Sequence, residues 1–156
     1  MLALLIALGC TGKDSVDVDS GSATDDSSEP QQDDVSPRLS DALAYCYEHT
    51  TGDTFYQWSL TVVYDDPQGL DNVPSSFHMV EVYKSDNLVT DIELLACDTN
   101  SGNCLGSFKA DAYDVLCPGA ADDYEFKIIV TDYDGNEGSA TVAGYEAVNS
   151  QGDPKE

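Results

Sequence analysis

With 156 residues, 41% of them apolar, the chain has room for one ordinary domain and appendages at its ends. Thirty acidic residues against six Lys and Arg give a net charge of −24, a field that repels phosphate backbones and anionic headgroups. Nucleic acid is thereby excluded as a partner, and cations are favoured.

Residues Met1 to Leu8 form an unbroken apolar run, ended by Gly9 and Cys10. A bilayer span takes about 20 residues, so the run reads as the core of an export signal over 1–9 and stands outside the fold. Ala7-Leu8-Gly9-Cys10 resembles the lipobox of bacterial lipoproteins. That resemblance implies cleavage before Cys10, lipidation of Cys10, and attachment to the cell envelope through the lipid. By resemblance to lipoprotein sorting, Thr11 in place of Asp after the Cys implies the outer membrane rather than the inner. No basic residue precedes the apolar run, so the true start codon is expected upstream.

From Cys10 to Arg38 the composition is Asp, Ser, Gly, Thr, Gln and Pro, with little apolar beyond Val16, Val18 and Val35. Such a segment cannot bury a core. Its eight acids stand against Lys13 and Arg38, a net −6 that extends the chain by self-repulsion. A disordered, lipidated spacer over 10–38 is expected.

Setting Cys10 aside leaves Cys46, Cys97, Cys104 and Cys117, an even set without the CxxC pairs that wrap zinc. Two disulfides are expected. Of three connectivities, Cys97 with Cys104 and Cys46 with Cys117 is preferred. The first closes a short loop and the second a long one, worth about 2.5 and about 4.4 kcal/mol in loop entropy.

Past Arg38 the hydrophobic period becomes two. Tyr56, Trp58, Leu60, Val62 and Tyr64 alternate with Gln57, Ser59, Thr61 and Val63, which predicts a strand with one buried face. Leu88, Thr90, Ile92, Leu94 and Ala96 repeat the pattern, as do Tyr124, Phe126, Ile128 and Val130. Weaker strands are predicted at 42–47, 77–84, 104–111 and 138–146; Leu39 to Tyr47 also fits a helical turn, with strand ranked ahead. Turn-forming clusters containing Gly52, Pro67, Asp86, Gly119 and Gly135 separate them. The prediction is all-β: an antiparallel β-sandwich of about seven strands and two disulfides over 39–148, preceded by a disordered tail and followed by another at 149–156.

Two segments, Asp65-Asp66-Pro67-Gln68-Gly69-Leu70 and Val130 to Gly138, are similar to parts of bacterial immunoglobulin-like modules of the cadherin and polycystic-kidney-disease-repeat type. The resemblance implies an immunoglobulin-like sandwich over roughly 54–146.

If the strands alternate in direction, the loops 65–76, 98–103 and 132–138 share one end. Asp65, Asp66, Asp71, Asp98, Asp132, Asp134 and Glu137 would then be candidate calcium ligands, with affinity in the millimolar range of extracellular modules. Tyr45, Tyr47, Tyr56, Trp58 and Tyr83 are candidates for stacking on a sugar or peptide, although Trp58 shares the parity of Leu60 and Val62 and so belongs to the core. His49 and His78 are the only imidazoles, and no catalytic motif surrounds them. The function expected is a cell-envelope lipoprotein displaying a small immunoglobulin-like domain to a protein or glycan partner, or serving as a structural display, with neither catalysis nor a required cofactor. The alternatives are a calcium-stabilised adhesin-like or spacer module and a small carboxylate-dependent hydrolase.

Overall fold

The computed structural model describes residues 35–76 and 78–155, so the predicted signal, Cys10 and the spacer up to residue 34 lie outside the described residues. Each segment with period two became a strand: β1 (Arg38–His49), β2 (Phe55–Asp65), β3 (His78–Lys84), β4 (Asn87–Asp98), β5 (Asn103–Lys109), β6 (Tyr124–Thr131) and β7 (Glu137–Glu146). The helical content of the described residues is two short 3-10 turns, Leu70–Asn72 and Ala121–Asp123.

The strands follow the order β1-β2-β5-β4-β3-β6-β7 and return to β1, which makes a closed barrel. The predicted open immunoglobulin-like sandwich is therefore corrected to a seven-stranded barrel. Closure comes from two strands of 12 residues, each of which serves both layers. β1 pairs antiparallel with β2 and, over Ala44–Cys46, parallel with β7. β4 pairs with β3 up to Leu95 and with β5 over Ala96–Asp98. Hydrophobic period reveals a strand but not how many neighbours it takes, so a sandwich and a barrel read alike in sequence.

Bulges accompany both long strands. The β1–β2 register shifts between Ser40 and Leu43, where Asp41 holds a left-handed φ of 50°. The β3–β4 register shifts at both ends, which turns the expected alternation in β4 around. Ile92 is buried as predicted, but Leu95 and Cys97 face inward while Leu88 and Ala96 are exposed.

In β2 the alternation held: Trp58, Leu60, Val62 and Tyr64 are buried, and they pack with Val80, Val82, Phe126 and Ile128 in one cluster. The Trp58 indole lies 4.7 Å from the Phe126 ring and donates its N–H to Val115 O at 2.9 Å. Gly144 lets β7 cross this layer, because a Cβ there would sit 2.8 Å from the indole. Cys46 is bonded to Cys117 and Cys97 to Cys104, the connectivity preferred above. The first ties β1 to the loop entering β6, and the second joins directly opposed residues of β4 and β5.

Beyond β7 the chain does not trail away, as its polar composition suggested. Ala147 N–H donates to Cys46 O at 2.8 Å, Ala147 bridges to Pro154, and Lys155 N–H returns to Glu146 O. The return lays residues 147–155 over the outer side of β1, where the Tyr45 hydroxyl donates to Ser150 O at 2.9 Å.

Candidate functional site

Two regions bring together chemistry-bearing groups, the acidic loop end and the outer face of the β1-β2-β5 sheet. At the loop end the expected convergence is present in part. Tyr64 N–H donates to Gly102 O at 2.7 Å, and Tyr133 N–H donates to Asn72 O at 2.9 Å, so the loops after β2, β4 and β6 meet. Gly102 makes the first contact feasible: its φ is 69°, and a Cβ there would lie 2.5 Å from Tyr64 O. The Tyr64 hydroxyl donates to Leu70 O, and burial together with the charges of Asp98, Asp66 and Asp71 pushes its pKa up. Those three acids therefore share one neighbourhood.

Most of the acids at this end are occupied by their own loops. Asp132 is buried; its Oδ1 accepts the Asp134 and Asn136 backbone N–H groups at 2.9 and 2.8 Å, and its Oδ2 accepts the Asn136 side chain. Burial raises its pKa, but these bonds outweigh burial and hold the carboxyl below its usual range. Asp98 caps its turn through Asn100 and Ser101 and is held low by those bonds. Asp134 accepts from Gln68 Nε2 at 3.1 Å, which joins the first and third loops. Asp71 lies in the 3-10 turn, while Asp65 and Glu137 stand exposed at strand ends. Asp66 differs: Oδ1 accepts Gln68 N–H at 2.7 Å, yet buried Oδ2 has no partner among the described residues. Among those residues no group of three or more His, Cys, Asp or Glu is placed to hold a metal ion.

The two histidines are held by different contacts. His78 is buried, accepts Thr131 N–H at Nδ1 and lies 2.7 Å from Pro74 O through Nε2, so the ring pins the β2–β3 loop to β6. His49 stacks on Phe55 at 4.7 Å.

On the outer face, the Tyr45 ring of β1 packs, tilted by 36°, against Tyr47 and against Tyr145 of β7 with centroids 6.1 and 5.9 Å apart, beneath the 147–155 return. Further along the same strands lies a bare groove of about 540 Å³ lined by Leu43, Thr61, Val63, Leu105, Asp41 and Asp98, among others. Sequence reading passed over this groove. Its signal was Leu105, an apolar residue at the parity of Ser107 and Lys109, and Val63 at the parity of Gln57 and Ser59.

Fold and site together define a small, disulfide-tied, acidic β-barrel with an apolar groove on one outer face. No family model matches the sequence, and no curated protein or solved structure matches it at a significant level.

Proposed function

We propose that the chain is an exported envelope lipoprotein, anchored through lipid on Cys10 and displaying the barrel as a binding module for a protein or glycan, with the outer membrane favoured over the inner. The observation that carries the binding role is the groove. Leu43 and Leu105, both exposed in a chain of net charge −24, stand together over the groove's apolar floor on one outer face. The two disulfides support an oxidising compartment, because such bonds persist outside the cytoplasm. The lipobox resemblance supports the anchor, and the acidic spacer suits a module held away from a lipid surface. Labelling expressing cells with an alkynyl fatty acid tests the anchor. Label and membrane sedimentation should both vanish in Cys10→Ser, and an unlabelled wild-type chain would refute the reading.

A second reading, a calcium-stabilised spacer, is favoured by one observation, the buried Oδ2 of Asp66, without a partner among the described residues, beside loops rich in carbonyls and acids. Thermal unfolding with and without millimolar calcium decides it. A rise in Tm that Asp66→Asn abolishes supports this reading, and an unchanged Tm removes it.

A further inference from the structure

The strand registers set Leu43 of β1, Thr61 of β2, Leu105 of β5 and Ala96 of β4 in one row across four strands, each opposite the next. The next row holds Ser40, Val63, Asn103 and Asp98 in the same way. Leu43 and Leu105 are 43% and 60% exposed. Two strand spacings separate them, about 10 Å. Between these leucines Thr61 and Val63 form a half-buried floor.

Two carboxylates, Asp41 and Asp98, line the same groove, and no basic side chain does. Asp98 is occupied by its own turn, whereas Asp41 is exposed and sits on the β1 bulge. Its left-handed φ of 50° is a conformation that costs a residue with a Cβ about 1–2 kcal/mol. A bulge re-aims the side chain it carries, here beside the leucine row.

We infer that this groove binds an extended segment of a partner protein whose groove-facing side chains, every second residue, include both apolar residues and Lys or Arg. The inference rests on reading the chain as an interaction module. In an extended segment, side chains on one face recur about every 6.5–7 Å, so apolar residues of the segment can lie over the leucine row. A Lys or Arg stem covers apolar surface while its head reaches Asp41. Charge selects this occupant over the others at hand. A second copy sets −24 against −24, and the chain's own 11–38 segment carries a net −6.

The test uses the full chain and a short fluorescent peptide of repeating valine-serine-lysine-serine, which puts valine and lysine on one face, followed by anisotropy at physiological salt. The same peptide with glutamate in place of lysine serves as the charge control. Wild type is expected to bind the lysine peptide and not the glutamate one. The exposed double substitution L43S/L105S should weaken binding by about tenfold or more. D41K should do the same, whereas D53K, which changes net charge equally from the β1–β2 loop at the far end, should change it less than about twofold. D41N, which keeps the side-chain size, repeats the charge test should D41K lower Tm. Equal losses in D41K and D53K would reduce the effect to net charge, and wild-type affinity in L43S/L105S or no binding by wild type would also overturn the inference. Fatty-acid labelling of these variants separates the two ideas. Label retained with peptide binding unaltered sinks the groove alone, and label absent with groove-dependent binding intact sinks the anchor alone.

Discussion

One face of one sheet carries two apolar regions with opposite fates. Toward the His49 end, Tyr45 and Tyr47 are only 6% and 8% exposed because residues 147–155 fold over them. Toward the Arg38 end, Leu43 and Leu105 stay bare. The covering segment is polar, with Ser150, Gln151, Gly152 and Asp153 at its turn. Such a segment covers tyrosine because the ring supplies apolar area and the hydroxyl supplies a donor; Tyr45 reaches Ser150 O and Tyr145 reaches Gly152 O, each at 2.9 Å. Leucine has no such donor, and a polar backbone laid over it would bury carbonyls without partners. The covered region is thus self-sufficient, and the bare one calls for apolar cover that the described residues do not supply.

The bridge that fixes β1, the strand carrying parts of both regions, should matter most to stability. Replacing Cys46 and Cys117 with serine is expected to cost about 4 kcal/mol, against about 2.5 for Cys97 and Cys104, by the lengths of the loops closed. Urea unfolding without reductant checks both; equal losses would mean that loop length does not set the effect. Next in size, Tyr45→Ala should cost about 3 kcal/mol, since it opens a cavity under a segment held by that side chain. Protease susceptibility at residues 148–153 should rise in parallel, and an unchanged urea midpoint would show that the covered region stabilises nothing.

A smaller effect separates the acidic loop end from both apolar regions. The Asp132 carboxyl is held below its usual range in the fold by its hydrogen bonds despite burial. Its contribution is therefore complete above the unfolded value near pH 4 and is lost as pH falls through the lower folded value. Asp132→Asn should lower the urea midpoint at pH 7 and do so progressively less as pH falls below the unfolded value and through the lower folded one, because the wild type then loses the same charge. A deficit that stays constant down to the most acidic pH at which the fold persists would argue against an ionised Asp132 as the organiser of its loop.

Much of this was legible before any coordinates. Period two located β2, β4 and β6, the weaker candidates at 42–47, 77–84, 104–111 and 138–146 fell on the other four strands, and an even cysteine set with one short spacing pointed to the observed bonds. Closure was hidden because it depends on β1 taking β7 as a second, parallel neighbour and on β4 passing from β3 to β5 next to a bulge, and neither leaves a mark in period. The two regions of the outer face were hidden for another reason. In β1, Leu43, Tyr45 and Tyr47 alternate with Ala44 and Cys46, so both faces read as apolar. The smaller pair turns inward because Trp58 stands directly opposite Cys46 and fills that volume. Parity therefore separates the faces of β1 without saying which is inside. In β5 the sign was plainer, since Leu105 stands out among Ser107 and Lys109.

The smallest expected effect sharpens the comparison furthest. Leu105→Ser removes a large apolar side chain from the same face as Tyr45, yet its side chain is 60% exposed, so the folded state gives up little buried area. Exposed substitutions of this kind shift stability by about 0.5 kcal/mol or less. The urea midpoint should therefore match wild type within error, while affinity for the lysine peptide falls, because Leu105 is half of the apolar row that the peptide covers. A clear loss of stability would instead mean that Leu105 is covered in the native chain.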